Sequence, residues 1–75
     1  MIRKRARQLD YRVLSDVSTT EAVPWCVEQF GKRWNVIDNR QGKWTLFWAG
    51  PNQRKKNVWR FADEKDSMLF ILRWS

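Results

Sequence analysis

The sequence predicts an α+β fold: a small antiparallel sheet of three to four strands with two helices. Three observations predict it. Lys43-Trp44-Thr45-Leu46-Phe47-Trp48-Ala49 alternates, with Trp44, Leu46 and Trp48 on one face and Thr45 and Phe47 on the other. Val23, Cys26, Val27 and Phe30 fall at i, i+3, i+4 and i+7, the stripe of a core-facing helix. Asp63-Glu64-Lys65-Asp66 then places acids where a helix start favours them, ahead of the apolar run Met68 to Leu72.

Taken in order, residues 1–8 form a basic N-terminal arm with Arg3, Lys4, Arg5 and Arg7 and no apolar periodicity, expected to be mobile. Residues 9–75 form a single α+β domain. Leu9 to Leu14 alternates and is the first expected strand, with Leu9, Tyr11 and Val13 on one side. Ser18 with Glu21 fits a capping box, and Thr20 is a rival cap. Pro24 complicates the first turn and favours a later or locally irregular start, because an interior proline removes a backbone hydrogen bond. Gly31 sits where a left-handed C-terminal cap is expected, and Lys32 and Arg33 suit the negative helix end.

Trp34 to Asp38 is the second expected strand, joined through a hairpin loop at Asn39-Arg40-Gln41-Gly42 to the third, Lys43 to Ala49. Gly42 is expected to supply a positive φ in that loop. Gly50-Pro51-Asn52 turns the chain, Arg54-Lys55-Lys56 is a basic run, and Asn57 to Phe61 is the fourth strand. Asp63 can cap the second helix. This helix is expected to run to about Ile71 and to give way to an extended Leu72-Arg73-Trp74, with a terminal strand over residues 69–74 as the rival.

Composition narrows the function. The chain has 75 residues, near the lower limit for a self-sufficient core, but six Trp, four Phe and one Tyr bring large buried areas. No stretch approaches the ~20 apolar residues of a membrane span, and no signal-peptide hydrophobic region follows the charged start. The expected location is cytoplasmic. Cys26 is the only cysteine and histidine is absent. One chain therefore holds no disulfide, no Cys/His zinc site and no His-based triad. Cys26 lies in the apolar stripe and reads as a small core hydrophobe. No metal, cofactor or catalytic set is legible, so a binding module is expected rather than an enzyme.

Formal net charge is +7, which favours polyanionic or acidic partners. The expected contact residues for nucleic acid or an acidic protein are Arg3, Lys4, Arg5, Arg7, Lys43, Arg54, Lys55 and Lys56 on phosphates. One or two exposed aromatics among Trp44, Trp48 and Trp59 would stack on bases. About two thirds of these side chains are expected to be plain core, since two helices must pack on the sheet. The alternatives are an inhibitor or adaptor binding an acidic host protein through Trp and Arg, and a minor virion or assembly component. An exposed strand edge could also pair with a partner or a second copy.

Trp25-Cys26 followed by Phe30-Gly31, then Trp59-x-Phe61 and Asp66-x-x-x-Phe70-x-Leu72-x-Trp74, resembles short uncharacterised proteins of tailed bacteriophages. The resemblance covers roughly residues 11–75 and omits the basic arm. It implies a phage origin, hence the host cell cytoplasm, and an α+β fold; no activity or ligand comes with it. The element order is also compatible with a ferredoxin-like βαββαβ sandwich. Two helices on one sheet face would leave the other face open as a binding surface. Nucleic-acid modules of that architecture stack bases on sheet aromatics, although their signature motif is not present here.

Overall fold

The computed structural model describes residues 7–51 and 56–74. Five elements follow one another: β1 (Tyr11–Ser15), α1 (Thr19–Phe30), β2 (Trp44–Trp48), β3 (Asn57–Phe61) and α2 (Glu64–Trp74). β3 is central, in the order β1-β3-β2, and pairs antiparallel with both neighbours. β1 and β2 are therefore parallel to each other and joined through α1, a split β-α-β unit. The result is a three-stranded antiparallel sheet with two helices. A complete ferredoxin-like sheet would carry a fourth strand beside β1, and the described residues contain none.

The pairing register sorts side chains by face. Val13, Trp59 and Leu46 stand opposite one another, as do Tyr11, Phe61 and Trp44. These rows face the helices. Trp44, Leu46, Trp59 and Phe61 are buried with Ala22 and Cys26 of α1 and Phe70 of α2. Trp59 lies between Trp44 and Phe70, with ring centroids 6.1 and 4.7 Å away. Trp25 ties the helices together, edge-on to Phe30, Phe70 and Trp74 at 5.5, 6.3 and 6.0 Å. In a chain this short, a few large rings supply the apolar area that many aliphatic residues would otherwise provide. The Trp44 indole also donates to the Gly31 carbonyl. The indole N–H groups of Trp59 and Trp74 are buried without an acceptor, each a cost of about 1–3 kcal/mol that ring burial must outweigh.

Several expectations are corrected. Residues 34–38 are not a strand. Asn35 and Asn39 bond each other's backbone at 3.0 and 2.9 Å, and the Asn35 carboxamide accepts from the Ile37 amide at 2.7 Å. Asn39 Nδ2 reaches back to the carbonyls of Lys32 and Arg33, both at 2.8 Å. Local amide bonding of this kind competes successfully with a sheet ladder, and it leaves Ile37 87 % exposed at the loop tip. Gly42 serves a close approach rather than a positive φ. A Cβ there would lie 2.5 Å from the Trp34 Cα, whereas the positive-φ glycines are Gly31 and Gly50.

Both helices also differ in detail. α1 starts at Thr19 and takes Pro24 inside it, and the Ser18 side chain makes no capping bond. Ala22 replaces Val27 in the buried stripe, and Val27 is exposed. Gly31 does cap the helix, at φ 90°, with its amide donating to Val27. α2 continues through Trp74 instead of ending near Ile71. Trp74 sits one turn beyond Phe70, and helical backbone is what carries its ring to Trp25. β1 begins at Tyr11, two residues after the expected start.

Candidate nucleic-acid interface

Both helices cover one face of the sheet, and the opposite face has a chemistry of its own. Its first row is Arg12, Arg60 and Thr45, and its second is Leu14, Val58 and Phe47. None of the three strands contains an acidic residue. Phe47 is 46 % exposed, and the Arg60 guanidinium lies 5.8 Å from its ring centroid.

Arg60, Arg33 and Arg7 are held in place around this face. Arg60 Nε donates to the Leu9 carbonyl at 2.8 Å. Arg33, just past α1, donates through Nε to Thr45 Oγ1 at 2.9 Å and through Nη2 to the Leu46 carbonyl. Arg33 thus serves the β2 edge and not the helix end, and Lys32 pairs with Asp38 at 3.2 Å. Arg7 belongs to this structure rather than to a loose arm: its amide and its Nε donate to the carbonyls of Arg40 and Gln41 at 2.7 and 3.0 Å. Such anchoring lowers the entropy lost when a guanidinium is fixed on a ligand.

Two adjoining depressions of about 410 Å³ each open on this face. One is bordered by Arg7, Asp10 and Arg60, the other by Lys32, Arg33 and Asp38; Trp34, Thr45 and Phe47 are common to both. Trp34 is steadied by its indole bond to the Arg40 carbonyl at 3.0 Å. A third depression of about 560 Å³ lies along the helices and carries Glu21 and Glu28, which suit a polyanion poorly.

The residues expected from sequence are distributed unevenly around this site. Arg3, Lys4, Arg5, Arg54 and Lys55 lie outside the described residues. Trp44 and Trp59 are fully buried and cannot stack on a ligand. Indole is the bulkiest side chain available to a small core, and the alternation that aligned these residues pointed them at the helices. Trp48, on the same side of its strand, emerges beyond the helices and is 65 % exposed. Lys56 is half-buried beside it, its carbonyl accepting from Ala49. Lys43 is exposed on the other flank, where its charge acts on Asp66. Arg7 reaches the open face; Lys43 and Trp48 do not join it there.

Phe47, Arg12, Arg33, Arg60 and Trp34 were not singled out by sequence reasoning. The signal existed for three of them. Arg12 alternates with Tyr11 and Val13, Arg60 with Trp59 and Phe61, and Phe47 with Leu46 and Trp48.

Burial pushes the Cys26 thiol up to about 12, the opposite of what a nucleophile needs. Burial, and then Asp63, raise Asp66 from its ordinary value, and Lys43 partly offsets this. Among the described residues no group of His, Cys, Asp or Glu could hold a metal ion, and no helix is long and apolar enough to cross a membrane. Comparison with protein-family models, curated proteins and solved structures returns no match.

Proposed function

We propose that this chain is a small, non-enzymatic binding module that takes single-stranded nucleic acid on the sheet face the helices do not cover, where Phe47 stands exposed between residues 7–10 and the 32–41 loop. The observation that carries the reading is the half-exposed Phe47 ring beside Arg60, on a sheet face that carries Arg12 and lies next to Arg33 and Arg7. Bases need a flat apolar surface, and phosphates need cations spaced around it. A stacked base contributes about 1–3 kcal/mol and tolerates any sequence. The arginines follow the backbone and make affinity salt-dependent. The sequence carries further cations at Arg3, Lys4, Arg5 and Arg54-Lys55-Lys56, in keeping with a polyanionic partner. The resemblance to tailed-phage proteins makes a phage-encoded protein acting in the host cytoplasm the setting for this role.

The test is the affinity for a labelled mixed-sequence oligonucleotide as salt is raised. A steep, log-linear fall supports phosphate contact; affinity that stays flat, or no binding at low salt, removes the reading. An acidic host protein is the second reading, favoured by the apolar loop tip at Val36 and Ile37. A stoichiometric complex that persists after nuclease treatment and is lost on Ile37→Asp would support it over the first.

A further inference from the structure

Arg12 and Arg60 are register partners on adjacent strands, on the sheet face away from the helices. Side chains directly opposite on an antiparallel pair have Cβ atoms about 4.5–5.5 Å apart, and like charges placed so destabilise the sheet. Among the described residues no acid pairs with either arginine. The ion pair there is Lys32 with Asp38, although Asp10 borders the depression that Arg60 lines. Arg60 gives its Nε to the Leu9 carbonyl, which uses one of five guanidinium donors. Arg12 is exposed.

The next row carries Leu14, Val58 and Phe47 across the three strands. Leu14 is 48 % exposed and Val58 half-buried, so the apolar surface beside Phe47 continues to β1. Leu14 and Phe47 lie two strands apart, about 9–10 Å at the usual strand spacing. Neighbouring bases in a stacked strand are about 3.4 Å apart. Two linked bases that reach Phe47 and Leu14 must therefore be unstacked, which a single strand permits and a duplex does not.

We infer that Arg12 and Arg60 clamp one backbone phosphate of a strand that crosses the sheet from β2 to β1, with one base on Phe47 and the next on Leu14 and Val58. The inference rests on the reading of the open face as a nucleic-acid site. It narrows the ligand to a strand of at least two linked nucleotides, in place of a free nucleotide held in one depression. A phosphate between two guanidiniums takes charge-assisted bonds from both and offsets their mutual repulsion. Binding thus relieves a cost that the free fold carries. A carboxylate would answer the charges too, but the flat ring of Phe47 beside Arg60 favours a base.

Binding of a labelled mixed-sequence single strand by Arg12→Thr protein, measured across a salt series, tests the clamp. Affinity should fall roughly tenfold at low salt. The slope of log affinity against log salt should shrink by about 0.7, the share of one phosphate on a single strand. The melting temperature of the free variant should equal or exceed that of wild type, since a like-charge pair is removed. Leu14→Thr should weaken binding and leave the slope unchanged. If Arg12→Thr keeps wild-type affinity and slope while Phe47→Ala abolishes binding, the clamp is overturned and the open-face reading stands. An Arg12→Thr melting temperature that drops along with affinity makes Arg12 a structural residue and overturns the clamp as well. Wild-type binding by Leu14→Thr overturns the path to β1. No binding by wild-type protein at low salt removes both the clamp and the reading beneath it.

Discussion

The Trp44 indole nitrogen donates to the Gly31 carbonyl oxygen across 2.8 Å, joining the start of β2 to the end of α1. Trp44 is wholly buried, so this bond satisfies a donor that water cannot reach. Replacing Trp44 with Phe removes the donor and leaves a space beside Trp59. The expected loss is at least about 1–3 kcal/mol in urea unfolding. Trp48→Phe, at an exposed site, should stay within about 0.5 kcal/mol. Equal effects would mean that the start of β2 is not enclosed while its end is exposed, contrary to the burial of Trp44 and the exposure of Trp48.

Gly42 is where the 34–43 loop closes. A methyl group there meets the Trp34 backbone at 2.5 and 2.7 Å, contacts that a flexible side chain cannot relieve. Gly42→Ala should therefore cost about 1–3 kcal/mol, as overpacking does. Because Trp34 borders both depressions, the same change should weaken oligonucleotide binding. A melting temperature equal to wild type would show that the loop closes differently.

The helix stripe offers a paired test. Phe30 packs edge-on to Trp25 and Phe61 at 5.5 and 5.6 Å, while Val27 points outward. Phe30→Ala is expected to cost about 3 kcal/mol, the low end for a phenylalanine that is only partly enclosed. Val27→Ala should cost under about 1 kcal/mol. The reverse ranking would rotate α1 away from the orientation described.

Cys26 sets an upper pH limit on stability. Its thiol is raised by burial to about 12 from an ordinary value of 9.0. Well below pH 9.0 both folded and unfolded chains hold the proton, and the group is neutral to stability. As pH rises from there toward 12, the unfolded chain ionises first, and stability falls. Thermal melts at stepped alkaline pH should show this decline, and Cys26→Ala should flatten it. In native protein near neutral pH, thiol reagents should react no faster than the chain opens. Immediate stoichiometric labelling would contradict the burial.

Much of the fold was legible because two periods, 2 and 3.6, are written clearly in the chain. β2, β3, α1 and the start of α2 lie within a residue or so of where those patterns place them. The Trp34 to Asp38 segment misled because its alternating apolar residues imitate a strand. The two asparagines that close it into a loop act through side-chain bonds with no hydrophobic signature. The site was half legible. An open sheet face was anticipated, but tryptophan was chosen for it when bulk favours the core. The helix-facing side took the indoles, and the smaller Phe47 was left with the arginines. Arg33 was hidden for another reason: its adjacency to Thr45 exists only once β2 is placed beside the end of α1.

Amide and side-chain NMR shifts, followed as a mixed-sequence single-stranded oligonucleotide is added, address the binding face most directly. Perturbations should concentrate on Phe47, Thr45, Arg60, Arg33 and Trp34. The residues of α1 that face away from the sheet should stay still, and Phe47→Ala should abolish most of the response without changing the circular dichroism spectrum. Shifts confined to the helices, or none at a saturating excess of oligonucleotide in low salt, would contradict a nucleic-acid role for the open sheet face.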